Sequence, residues 1–417
     1  MRTAALAFSW FVFRSVTLFA QPFIGPEILS QPLASRNEAV SLAVPAIAMA
    51  KDRQSVAIAW AMRNAAGAER IHVVRLDATG QARGEVVEAP LSLPGDDIDA
   101  ISPSIAVSES GRGFTLAWTE VPSPSSFISV RSVFCRLDVD LKPSSPNVLM
   151  TLPFVSPTIA RSGKAAWLTS GGFVRRLRAD GSLEGLLDVG VPASDMVATD
   201  PFPQVVSSNK IQGDFTCMPQ QGCKVSGGPF NGFCFDRCRI YQYSYGLHYV
   251  ALYTFSTVKT FAFDSDAQPA VQSEGHDVLF AWFRGAQASG GDVVAVALDR
   301  SSFANFEAVV EHPQVLGSFG PDSGPTRPDI ATDGERYLVV WRTTSSTGDH
   351  DIIGSSIDRA GNITHLSIAT SAADERDPSV IAISNGTFLV AYDKVSAGER
   401  RIAGRFVTFG SRRRAAR

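Results

Sequence analysis

Four of the five cysteines fall within one short stretch, Cys217-MPQQG-Cys223-KVSGGPFNGF-Cys234-FDR-Cys238. Thiolates in pairs can hold zinc, but these pairs are spaced by five and three residues, with no His in the cluster. Two local disulfides suit an exported chain better, each worth roughly 2–4 kcal/mol by loop restriction. Four cysteines allow three connectivities, and the sequence does not choose among them. Cys135, in the run SVFCRLDV, is left over and reads as a buried small hydrophobe.

Carboxylates form a second, distributed pattern. Asp96, Asp97 and Asp99 precede Pro103, and Asp200 precedes Pro203. Asp264 and Asp266 precede Pro269, Asp322 precedes Pro328, and Asp374, Glu375 and Asp377 precede Pro378. If these segments gather on one face, Asp99, Asp200, Asp266 and Asp377 make an oxygen-only set that suits calcium or attracts a basic ligand. The competing reading is that Asp simply favours turns before Pro. His350 lies between Asp349 and Asp351, which suggests a metal only if a further ligand approaches. The other histidines, His72, His248, His276, His312 and His365, have no ligand spacing. Asp264-Ser-Asp266 and Asp138-Val-Asp140 lack the Gly and the distal carboxylate of a calcium loop. The chain carries no Gly-x-Ser-x-Gly, His-Glu-x-x-His, Gly-x-x-x-x-Gly-Lys or helix-opening Gly-x-Gly-x-x-Gly motif. No catalytic residue is assigned, and calcium is the one cofactor the pattern suggests.

What must position these residues is a repeat. Pro-x-[Ile/Val] recurs at Pro45, Pro103, Pro157, Pro203, Pro269, Pro328 and Pro378, with spacings of 58, 54, 46, 66, 59 and 50 residues. After each Pro segment comes a turn, then an apolar strand ending in an aromatic. SVAIAW ends at Trp60, FTLAW at Trp118, VLFAW at Trp282, YLVVW at Trp341 and FLVAY at Tyr392. Trp167 in KAAWLTS reads as the shortened third copy. A third strand closes on tight turns such as DATG and DRAG, and a more polar fourth strand such as NITHLSIAT leads to the next Pro. The aromatics are expected to wedge between neighbouring sheets rather than to form a ligand cage. Seven units of four strands predict an all-β, seven-bladed β-propeller of residues 21–410, its Pro residues opening the innermost strands.

The ends and the irregular unit complete the organisation. The last unit stops one strand short, and the segment around Glu27–Leu33 matches a fourth strand, so it is expected to close the ring. Residues 214–240 read as a cysteine-rich loop inserted in the fourth blade, next to the aromatic run YQYSYGLHYVALYTF. That loop serves either as a grafted binding element or as a staple for a degenerate blade. Residues 1–20 have a basic Arg2, an apolar run to Phe13 and a small Ala20, the pattern of a signal peptide, which predicts a secreted or periplasmic protein. The tail 411–417, SRRRAAR, reads as a solvated end. The chain has 417 residues, 45% hydrophobic and 19% charged, with a net charge of −3. That balance argues against nucleic-acid binding, and no apolar run of membrane length appears.

The copy RPDIATDGERYLVVW, followed by DHDIIGSSIDRAGNI, resembles the repeat of secreted bacterial β-propeller proteins. That resemblance covers most of residues 21–410 and implies export and a propeller fold; the group is functionally mixed. Gly320-Pro-Asp322-Ser-Gly324-Pro-Thr326-Arg327 is also similar to the Ser-x-Asp-x-Gly-x-Thr-Trp turn of sialidases, with Gly320 for Ser and Arg327 for Trp. The expectation is an exported, monomeric, non-enzymatic module that binds a protein or carbohydrate through its loop face. The alternative is a propeller hydrolase or lyase acting on glycans through two loop carboxylates.

Overall fold

The computed structural model describes residues 21–410 apart from internal stretches, the longest being 34–44, 218–237 and 299–311. Every named element is a strand, and the described strands form seven four-stranded antiparallel sheets and one two-stranded ribbon. The first sheet runs Ala46–Met49, Ser55–Arg63, Glu69–Asp77 and Val87–Glu88. The second runs Ile98–Val107, Phe114–Pro122, Arg131–Leu137 and Asn147–Thr151. The third runs Thr158–Ser162, Ala165–Ser170, Phe173–Leu177 and Leu183–Asp188. Later sheets open with Asp195–Ala198, Ala270–Glu274, Asp329–Thr332 and Asp374–Ser384. The first strand of each sheet contacts the first strand of the next, and Asp374–Ser384 returns to contact Ala46–Met49. Among the described residues no helix is long and apolar enough to cross a membrane.

The second strands explain the packing. In Ser55–Arg63, Val56, Ile58 and Trp60 cluster with Ile383, Leu389 and Ile402 of the seventh sheet. The opposite face of that strand, Ala57, Ala59 and Ala61, meets Phe114, Leu116 and Trp118 of the second sheet. A strand that is apolar on both faces is thus bulky toward one neighbour and small toward the other, which lets the sheets interdigitate. Trp60, Trp118, Trp282, Trp341 and Tyr392 are all buried, as core wedges should be. At the fifth–sixth interface Trp341 requires a neighbour without a side chain: a Cβ on Gly317 would lie 2.7 Å from its Cζ2.

The last sheet is completed from the other end of the chain. Phe23–Leu33 pairs antiparallel with Glu399–Thr408, giving the sheet order Phe23–Leu33, Glu399–Thr408, Thr387–Ser396, Asp374–Ser384. The expected closing strand therefore occupies the outer position, and it begins earlier than Glu27.

Several positions of the repeat differ from the sequence expectation. Pro103 and Pro378 lie inside their first strands, Ile98–Val107 and Asp374–Ser384, at register shifts where a missing N–H is tolerated. Pro203 opens the second strand of the fourth sheet, Pro203–Gln212, while Asp195–Ala198 fills the first position. A strand's first residue tolerates a missing N–H in either place, so Pro-x-Val alone does not distinguish them. Trp167 is also out of step. Ile159 faces Leu168, as Ile47 faces Ile58 and Ile105 faces Leu116, so Ser170 holds the position of Trp60 and Trp118. There a 2.6 Å hydrogen bond between Ser170 Oγ and Ser132 Oγ replaces the aromatic wedge.

Candidate functional site

The acidic segments before the inner strands lie at the end of the sheets where one sheet passes to the next. Asp99 Oδ1 accepts the N–H of Glu69 at 2.8 Å, and Asp374 Oδ1 accepts the N–H of His350 at 3.2 Å. Each Asp stands four residues before its Pro, and each acceptor serves the first residue of the preceding sheet's third strand. These carboxylates stitch neighbouring sheets together. The residue just before Pro is alike in both copies: Ser102 has φ +53° and Asp377 φ +49°, each beside a register shift. A residue before Pro is pushed out of the right-handed helical region, and Asp tolerates the left-handed one better than most.

Around Asp377 the sixth and seventh sheets bury a dense set of charges. Asp377 is buried with Arg342 Nη1 3.8 Å away, and burial raises its carboxyl above the ordinary range. Asp393 lies 2.6 Å from Arg400, and burial pushes its carboxyl up to about 6 despite that cation. Glu375 is also raised by burial, although Ser371 donates to it and Lys394 Nζ stands 3.8 Å away. Asp374 moves the other way: against the effect of burial, His350 (2.7 Å) and Arg376 hold it well below the usual carboxylate range. Asp377 Oδ1, Asp393 Oδ1 and Glu375 Oε2 are buried without a hydrogen-bond partner.

Of the candidate calcium ligands, Asp99 and Asp377 are placed; Asp200 and Asp266 lie outside the described residues. Among the described residues no three His, Cys, Asp or Glu side chains converge as a metal site. His350 faces Asp374, and Asp349 accepts hydrogen bonds from Ser345 and Thr347 in its own turn. Cys135 is buried and free, its thiol pushed up to about 12 by burial. The two-stranded ribbon Phe215–Cys217 with Cys238–Ile240 sits in sequence between the second and third strands of the fourth sheet, Cys217 opposite Cys238. Cys223 and Cys234 lie outside the described residues, as do residues 1–20 and 411–417.

Sequence reasoning found the acidic segments but not their basic counterparts, Arg342, Arg376 and Arg400. The strings DERDP and GERR carry two of them, yet nothing local says that they meet Asp393.

No family model matches the chain, and no curated protein matches it. Among solved structures it is similar to a protein of unknown function from Dyadobacter fermentans (13% identity, TM-score 0.46, covering 92% of this chain and 98% of that one). It is similar to a streptogramin B lyase (12%, TM-score 0.44, covering 90% and 97%). A third is the β-propeller domain of the Trilobed protease from Pyrococcus furiosus (10%, TM-score 0.46, covering 88% and 96%).

Proposed function

We propose that the chain is an exported, monomeric, seven-bladed β-propeller, closed by its N-terminal strand, that binds a protein or carbohydrate through the face bearing the inter-sheet segments. The seven sheets are its blades, and the return contact from Asp374–Ser384 to Ala46–Met49 supports a closed ring. The observation that carries the non-enzymatic reading is where the loop-face carboxylates spend their hydrogen bonds. Asp99 and Asp374 each accept a strand-opening N–H from the preceding sheet, as structural groups do. The test is to titrate purified polysaccharides against the mature chain while assaying chromogenic glycosides. Saturable binding without turnover is the expected result; turnover above a heat-treated control would reject it.

One observation favours the alternative, a glycan hydrolase or lyase. A carboxyl raised to about 6 suits a general acid, and Asp393 has that property. Its side chain is only 1% exposed, however, and lies on the strand face that Leu389 and Ala391 pack against the first sheet, so a substrate would have to open that packing to reach it. Any turnover lost in Asp393→Asn but retained in Asp99→Asn would favour this reading.

Calcium at the channel mouth, held by Asp99, Asp200, Asp266 and Asp377, belongs to the same proposal. Asp377 Oδ1, without a hydrogen-bond partner, supports it; Asp99 Oδ1, already engaged by Glu69, supports it less. Export implies disulfides in the 214–240 insertion. The backbone register supports Cys217 with Cys238, which leaves Cys223 to Cys234.

A further inference from the structure

The second and third sheets leave a cavity of about 590 Å³ between them, at the end carrying the hairpin turns, opposite the inter-sheet segments. The repeat explains why it exists. Counting by the strand register, the position of Ala166 is taken in other sheets by Val56, Phe114, Val278, Tyr337 and Phe388. Ala166 points into the second–third interface with Leu168, so the missing bulk opens space where the other interfaces are filled. Leu137 and Leu177, both buried, give that space an apolar floor.

Its walls are cationic. Arg112 comes from the first hairpin of the second sheet, Arg136 and Lys142 from the end of its third strand and the following turn, and Arg178 from the third sheet. Arg136 Nη2 donates to Arg178 O at 2.9 Å, which holds its guanidinium across the gap between the sheets. The one carboxylate in the lining is Asp138, and its Oδ1 already accepts the N–H groups of Asp140 and Lys142, both at 2.8 Å. Arg75 of the first sheet donates to Val139 O and fixes the same turn from outside. Arg178 is already paired with Glu184 at 2.9 Å, so the anion-selecting charge comes from Arg112, Arg136 and Lys142. Over an apolar floor, with the acid of the lining bound into its own turn, they select negative charge on an apolar body.

We propose that this cleft binds a small organic anion, a phosphate, sulfate or carboxylate group carried on a compact apolar or aromatic body. The cations hold the anionic group and the space left by Ala166 takes the body. The site is independent of the opposite, acid-bearing face and of whatever binds there.

The probe is phenyl phosphate, titrated calorimetrically into the full mature chain beside inorganic phosphate and phenol. Saturable one-to-one binding is expected at millimolar concentration or tighter, weakened by salt, with phosphate alone and phenol alone each at least about tenfold weaker. Lys142→Ala should lower affinity several-fold. Ala166→Phe restores the bulk of the other sheets and should abolish binding while leaving the melting temperature equal or higher. No saturable binding, or equal affinity for phenyl phosphate and phenol, would overturn the proposal. So would wild-type affinity in Ala166→Phe. Should that variant fail to fold, Lys142→Glu, on an exposed turn, decides: unchanged affinity there refutes the site.

Discussion

Tyr392 Oη donates a 3.0 Å hydrogen bond to Glu27 Oε2, joining residues 365 positions apart. Lys394 Nζ reaches the same oxygen at 2.7 Å, and Arg405 stands 3.9 Å from it. The aromatic that wedges the sixth and seventh sheets therefore also holds the strand that completes the seventh. Glu27→Ala removes the acceptor of a buried phenol hydroxyl and the anion that Lys394 and Arg405 share, although Lys394 keeps Glu375 and Arg405 keeps the Gly25 carbonyl, and should cost about 1–3 kcal/mol. Glu27→Gln, which keeps the acceptor, should cost less. Urea midpoints of the two variants check this ordering; equal stability of Glu27→Ala and the wild type would show that the contact does not hold the strand.

The buried acids give a pH dependence with a definite sign. Asp393 is raised from 3.8 to about 6, so the folded chain holds its proton more tightly than the unfolded one. Its contribution is complete below the ordinary carboxylate range and is lost as pH rises through about 6. The difference is on the order of 3 kcal/mol at ~1.4 kcal/mol per pH unit. Asp377 and Glu375 are raised as well and act in the same direction. Asp374 is lowered, so its contribution is lost only in stronger acid. Asp393→Asn should flatten the fall in stability between about pH 4 and 7, measured as urea midpoints. An unchanged slope would mean that another group titrates there.

Packing makes a third prediction. Trp118 is buried against the alanine face of the first sheet, and Trp118→Ala should cost about 3–5 kcal/mol. Gly317→Ala should destabilise too, because the new methyl meets Trp341 at 2.7 Å. Thermal unfolding reads both; a neutral Gly317→Ala would mean that Trp341 shifts freely.

Which of these features a reader could take from the sequence depends on range. The aromatic strands ending in Trp60, Trp118, Trp282, Trp341 and Tyr392 are local patterns, and so is the unfinished last unit. Pro203 and Trp167 misled because a strand's place in its sheet is set by pairing partners, and Val197 facing Gln204 or Ile159 facing Leu168 cannot be read from composition. The acidic segments were visible, but their role depends on the N–H groups of Glu69 and His350 in the sheets before them. The cationic cleft was hidden for the same reason: Ala166 is unremarkable until the register shows which bulky residues it replaces.

The cysteines test export and the insertion together. Non-reducing peptide mapping of the exported chain should find Cys217 linked to Cys238, Cys223 to Cys234, and Cys135 free. A link from Cys135 into the cluster, or four free thiols, would remove the disulfide-tied insertion.

A cross-link tests most directly the proposed closure of the ring by the N-terminal strand. Ile24 and Val407 are Cα partners across the pairing of Phe23–Leu33 with Glu399–Thr408. In the Ile24→Cys, Val407→Cys double variant, mild oxidation should form an intramolecular bond between positions 24 and 407, found by mass spectrometry in monomer fractions, and raise the melting temperature. A folded monomer that yields no such bond, or yields it only between two chains, would contradict closure of the ring by its own N-terminal strand.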